Sequence, residues 1–162
     1  MRIPRIHTRQ VLRENTTVEL EPGPSQHIAR ALRMGPGAAL ILFDGNGGEY
    51  PATITALDKG KRVQATTGSR RDLELESALQ IHLGIALSRG ERMDWVVQKA
   101  TELGVTSISP LLSRRSEVKL KGERAERKIQ HWQQVATSAC EQCGRNRLPE
   151  IQPLQGVQQW LD

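Results

Sequence analysis

Residues 88–104 constrain this chain more than any other stretch, because they read as a helix with both ends marked. Ser88 and Glu91 stand at the S-x-x-E spacing of a capping box, in which each side chain satisfies an orphan amide of the first turn. Gly104 sits where a left-handed residue would close the helix at no Cβ cost. At 100° per residue, Met93, Val96, Val97, Ala100 and Leu103 share one face, which predicts the core side. The opposite face carries Glu91, Trp95, Gln98, Lys99 and Glu102. A solvated face has no need of a tryptophan. Either Trp95 packs under a neighbouring loop, or this face meets a partner subunit or an RNA.

The flanking segments extend the pattern. Residues 79–87 and 105–112 read as strands, so strand, helix and strand form a βαβ unit with 79–87 and 107–112 parallel. Arg89 then leaves the carboxyl end of the first strand, and Arg114 and Arg115 leave that of the second. Ligands of open α/β sheets bind outside those ends, so the two loops predict one basic edge.

Residues 1–73 read as mostly β, with strands at 2–6, 17–20, 38–43, 49–57 and 62–67, and turn signals between them. Short strands in this arrangement argue a small barrel, ending near 69–72. Residues 25–32 predict a helical turn with Ser25 as N-cap. The run Asp44-Gly45-Asn46-Gly47-Gly48 opens no helix, so it reads as a hairpin turn needing positive φ and not as a phosphate loop. His27, Arg30 and Arg33 recur every three residues, which puts them near one face of that turn. With Arg2 and Arg5 on an edge strand they form either a solvated basic face or a patch for a polyanion backbone. Charge supports the polyanion without deciding it. Residues 1–73 hold 11 Lys/Arg against 7 Asp/Glu, while the remainder is nearly balanced at 12 against 11.

Residues 123–143 predict a long helix closed by Gly144, with an apolar stripe of Ala125, Ile129, Trp132, Ala136, Ala139 and Cys143. Cys140 and Cys143 form a C-x-x-C, but no second ligand pair is present and His131 projects away from the stripe. Two buried helix cysteines are expected, and no metal site. Glu141, Gln142 and Arg145 cluster at the helix end, where solvation and the helix dipole are a sufficient account of them. No apolar run is long enough to span a bilayer and no signal-peptide pattern is present, so the expectation is a cytoplasmic protein without membrane contact.

Arg89-Gly90-Glu91-Arg92-Met93-Asp94-Trp95, Gln98-Lys99-Ala100-Thr101-Glu102-Leu103-Gly104 and Glu141-Gln142-Cys143-Gly144-Arg145 resemble the RsmE family over essentially the whole chain. That family methylates N3 of a uridine in 16S ribosomal RNA with S-adenosylmethionine. The resemblance implies an α+β two-domain protein: a PUA-like RNA-binding β-barrel at 1–72, then at 73–162 the first part of an α/β SPOUT domain, a knotted, Rossmann-like fold. It implies the small ribosomal subunit as partner and a homodimer at full length. His27, Arg30, Leu32 and Arg33 fit the family's H-x-x-R-x-L-R pattern, and Arg115 its S-x-R pattern. The implied RNA contacts are Arg2, Arg5, His27, Arg30, Arg33, Arg89 and Lys99, and the catalytic candidates are Arg115, Glu141, Gln142 and Arg145. A crossover helix normally ends opposite the ligand edge, which sets Arg145 against Arg89 and Arg115.

The family's G-P-E-G-G loop and L-G-x-R-I-L-R-x-E-T-A segment, which bind S-adenosylmethionine within the knot, are not in these 162 residues. The expectation is therefore a barrel plus part of a methyltransferase domain, with the cofactor site elsewhere and no activity of these residues alone. The alternative is a non-catalytic RNA-binding module. A redox or metal role would rest only on the C-x-x-C and is disfavoured.

Overall fold

The computed structural model describes residues 3–58, 62–73, 75–114 and 120–162. The chain divides into two units, Met1–Leu75 and Glu76–Asp162.

The first unit is a five-stranded sheet ordered β1-β3-β4-β5-β2, with β1 Arg5–His7, β2 Thr17–Glu19, β3 Ala39–Phe43, β4 Tyr50–Asp58 and β5 Arg62–Thr67. Strand β1 runs parallel to β3, and the other pairings are antiparallel. Period-two alternation places Tyr50, Ala52 and Ile54 of β4, and Val63 and Ala65 of β5, in a core completed by Ile6, Leu12, Leu20, Ile28, Leu40 and Leu42. A closed barrel would pair β1 with β2; among the described residues both remain at the ends of the order. The β3–β4 connection is the glycine hairpin: Gly45, Gly47 and Gly48 all take positive φ, and Asp44 accepts the amides of Asn46 and Leu12.

Ser25 is not an N-cap. Pro22, with its preset φ, starts the helix α1 (Pro22–Gln26) earlier than the hydroxyl signal suggests. Ser25 lies buried within it, donating to the Leu20 carbonyl and accepting the Val63 amide. The hydroxyl thus fastens α1 to the sheet.

The second unit is built on parallel strands. Strand β6 (His82–Ala86) pairs with β7 (Ser107–Leu112) in register from His82 opposite Ser107 to Ala86 opposite Leu111. On the other side of β7 lie β8 (Glu150–Ile151) and β9 (Gln155–Gly156), both parallel to it. The interruption between them falls beside Pro110, which has no amide to donate to a neighbouring strand. Helices α2 (Arg92–Glu102) and α3 (Glu123–Cys143) pack together over one sheet face, around Leu87, Met93, Val97, Val105, Ile108, Trp132, Ala136 and Ile151. On the opposite face, the short helix α4 (Val157–Leu161) brings the Trp160 ring so close to Gly84 that a Cβ there would lie 2.7 Å from it.

Three local expectations are corrected. The Ser88–Glu91 capping box does not form: Gly90, at φ +62°, turns the chain and α2 starts at Arg92 without a side-chain cap. Leu103 is not core but 83% exposed, because the helix ends there and Gly104 turns away. Its place is taken by Thr101, whose buried hydroxyl is satisfied by the Val97 carbonyl. In α3 Cys140 is buried while Cys143, although on the stripe by angle, is exposed at the helix end beyond the packed core. Trp95 is 62% exposed, so no loop of the described residues covers it.

Candidate nucleic-acid interface

The basic turn of the first unit grows out of α1. After Gln26 the backbone widens to a π-helical turn over His27–Ala31, in which the Leu32 amide donates to the His27 carbonyl and the Met34 amide to that of Ile28. Ile28 is fully buried and anchors the turn to the core. His27, Arg30 and Arg33 are exposed on it. Arg33 stands at φ +51°, in the left-handed region, which costs a non-glycine residue roughly 1–2 kcal/mol. A π-turn ending in a strained arginine is the kind of local irregularity that clusters at functional surfaces.

Arg5 does not join this patch. Its guanidinium is buried in an ion pair with Glu49 and lies over the Phe43 ring, 5.0 Å from the centroid. Glu49 itself is bridged through its backbone to Arg71, so the pair ties β1 to the end of the first unit. Arg2 lies outside the described residues.

In the second unit Arg89, just after β6, and Arg114, just after β7, are exposed at the carboxyl ends of their strands. Arg115, the favoured catalytic candidate there, lies outside the described residues. Lys99 is on α2 and is engaged: its ammonium donates to Glu102 at 2.7 Å, while Gln98 donates to the other carboxylate oxygen. These two bonds, that of Lys99 first, hold the Glu102 carboxyl below its ordinary pKa.

Arg145 sits elsewhere. Its side chain is buried and binds Glu76 through Nε and Nη2, the latter at 2.6 Å. Nη1 donates to the carbonyls of Thr101 and Val105, the last turn of α2 and the residue leading into β7. Arg145 therefore closes the amino edge of the sheet, opposite to Arg89. Glu141, half-buried, and Gln142, exposed, lie at the same end of α3, where Gln142 lines a surface groove with Gln98 and Ser138. The structure does not bring these three residues together with Arg89.

Sequence reasoning missed Asp94. In the first turn of α2 its carboxylate takes the indole N–H of buried Trp132 at 3.0 Å and meets His131 Nε2 at 2.7 Å, so one residue joins both helices. An acid in a helix's first turn was the only available signal, and it says nothing of a partner on another helix.

Comparison with known proteins bears on both units. Residues 75–162 match the family model described as an RNA methyltransferase domain, and residues 25–66 that described as an RNA methyltransferase PUA domain. The chain is 32% identical to ribosomal RNA small subunit methyltransferase E of Buchnera aphidicola (Schizaphis graminum), over 98% of its own length and 64% of that relative. The Bacillus subtilis protein of the same name is 29% identical, over 95% of this chain and 60% of its own. Among solved structures, a ribosomal RNA small subunit methyltransferase E from Neisseria gonorrhoeae bound to S-adenosyl methionine matches with a TM-score of 0.94 at 39% identity, covering 99% of this chain and 66% of that one. A methyltransferase from Legionella pneumophila in complex with the bound cofactor SAM matches at a TM-score of 0.91 and 40% identity, over 97% of this chain and 64% of that one. The chain thus spans less than two thirds of the curated relatives it matches.

Proposed function

This chain belongs to the ribosomal RNA small subunit methyltransferase E (RsmE) family, and from that premise we propose that it supplies the RNA-binding unit and part of the catalytic scaffold of an enzyme that methylates N3 of a uridine in 16S ribosomal RNA. In this reading residues 1–72 are a PUA-like RNA-binding domain and 73–162 the first part of a knotted SPOUT domain that works as a cytoplasmic homodimer. The observation that carries the proposal is the exposure of His27, Arg30 and Arg33 along and just after the π-turn of the PUA-like unit, where the wider turn spreads them further apart than α-helical spacing predicts. Guanidinium groups there grip phosphate oxygens and fix the register of the RNA without reading its bases. Arg89, exposed at the carboxyl edge of the second sheet, is a further phosphate contact in this reading. Arg5 and Arg145 are assigned no contact with RNA, since both guanidinium groups are buried against carboxylates.

In this reading the cofactor is S-adenosylmethionine, which supplies the methyl group. The groove of about 300 Å3 between α2 and α3 is lined only by helical residues, among them Gln98, His131, Ser138 and Gln142. Apart from Gln142 in the last turn of α3, their backbone amides and carbonyls are committed within the helices, so the groove offers an adenosine ring few main-chain donors and acceptors. We place the cofactor site in the portion of the relatives that these residues do not align with, so 1–162 alone binds RNA without methylating it. Calorimetric titration of the chain with S-adenosylmethionine should give no saturable heat.

The experiment on the RNA face is fluorescence anisotropy with a small-subunit RNA fragment at several salt concentrations. Each phosphate neutralised on a single strand contributes about 0.7 to the slope of log K against log salt. The double change Arg30→Ala and Arg33→Ala should weaken binding to many RNAs alike and flatten the slope by about 1.4. An unchanged slope with the fold intact would remove this turn from the RNA footprint.

A further inference from the structure

The amino-terminal half of α3 carries a second basic surface that neither the sequence motifs nor the candidate site accounts for. A cavity of about 290 Å3 beside it is lined by Leu120, Arg124, Arg127, Lys128 and His131. At 100° per residue these four basic side chains fall within an arc of about 100° on the helix. Glu126 projects from the far side of α3, and Glu123 lies just outside the arc, where it pairs with Arg127 at 3.1 Å. His131 is held at the arc's inner end by Asp94, which already accepts the Trp132 indole. Arg124 and Lys128 are exposed and have no ion-pair partner among the described residues. A solvated helix face usually interleaves its signs at i and i+4; here Arg124 is followed at i+4 by Lys128, a like-charge pair that costs the isolated helix stability.

We propose that this face of α3 is a second contact for the RNA sugar–phosphate backbone, with Arg124 and Lys128 as the phosphate ligands. The inference rests on the RNA-binding reading above and extends it from the PUA-like unit to the methyltransferase unit. Charge complementarity selects the partner. Glu123 takes up Arg127 and Asp94 takes up His131, which leaves Arg124 and Lys128 as the cations the arc presents, and its floor is the apolar Leu120, against which their methylene stems can lie while their heads reach out. A polyanion gains from two fixed cations one helical turn apart and releases a counterion for each phosphate it brings.

The test uses the whole chain and a short labelled single-stranded RNA in the same anisotropy titration. The double change Arg124→Gln and Lys128→Gln removes both charges, keeps good helix formers and leaves the core untouched. It should flatten the salt slope by about 1.4, and combined with Arg30→Ala and Arg33→Ala by about 2.8. The doubly conservative Arg124→Lys and Lys128→Arg should keep the wild-type slope. A wild-type slope in the α3 glutamine variant overturns the proposal and leaves α3 a solvated face or a surface for an acidic protein. The first reading is judged separately by the π-turn variant. Loss of the slope effect there, with the α3 effect present, would sink the π-turn contact alone.

Discussion

Arg5 with Glu49 in the first unit and Arg145 with Glu76 in the second are both buried ion pairs, yet they are built differently. Arg145 has its guanidinium divided between a carboxylate and two main-chain carbonyls, so it holds three segments at once. Arg5 faces Glu49 from above an aromatic ring, and a second cation, Arg71 Nη1, stands 3.9 Å from the same carboxylate. Glu49 thus has a second cation within reach. The difference teaches how to read basic residues in this chain. An arginine whose carboxylate arrives from a distant segment holds the fold; one left on a turn with other cations is available to a ligand.

The largest expected effect breaks the more connected pair. Arg145→Ala strips Glu76 of its bidentate partner and uncovers the carbonyls of Thr101 and Val105, so the second unit should lose about 3–5 kcal/mol. A urea midpoint close to wild type would show that the clamp is dispensable. Arg5→Ala should cost the first unit less, about 2–3 kcal/mol, because Arg71 can swing toward Glu49. Adding Arg71→Ala should bring the loss up to that of Arg145→Ala, and equal effects with and without Arg71 would end the idea of a backup.

A carboxylate held by neutral donors sharpens the contrast. Burial works to raise the pKa of Glu21, but its hydrogen bonds win, among them those from the Thr8 hydroxyl and the Arg9 amide, and the value is lowered. A lowered folded pKa means that Glu21 stabilises the first unit above the unfolded carboxylate range and that this share is lost as pH falls through the folded value. Thr8→Val should reduce the acid-dependent part of stability by about 1 kcal/mol, with little change in Arg5-dependent stability. The smallest effect has the opposite sign. Arg33→Gly relieves the left-handed strain at φ +51° and, after the added chain entropy, should stabilise the first unit by about 0.5 kcal/mol while weakening RNA binding. A loss of stability there would mean that Arg33 makes packing contacts.

Much of this architecture was legible because it is local. Helix α3 ends where Gly144 says it should, the glycine hairpin joins antiparallel strands, and 82–86 and 107–112 run parallel as a βαβ unit requires. What failed was long-range. Nothing around Arg5 announces Glu49, and nothing around Arg145 announces Glu76, since each carboxylate comes from another part of the chain. The capping-box motif failed for the converse reason: the local pattern at Ser88 was present, but the Gly90 turn delays the helix past it. The basic arc of α3 is equally local, since Arg124, Arg127, Lys128 and His131 recur at helical spacing beside the apolar stripe.

The placement of the aromatic residues has a spectroscopic consequence. All three tryptophans, Trp95, Trp132 and Trp160, belong to the second unit, while the one tyrosine, Tyr50, is buried in the first with its hydroxyl donating to the Leu12 carbonyl. Indole emission excited at the red edge therefore reads the melting of the second unit alone. Its colour has a built-in internal reference, since Trp95 is already exposed to water while Trp132 is buried and shifts when the core around it opens. The ultraviolet fine structure of Tyr50 reads the first unit. The native chain thus carries two optical channels, and the stabilities of its units can be followed side by side in one cuvette without a label.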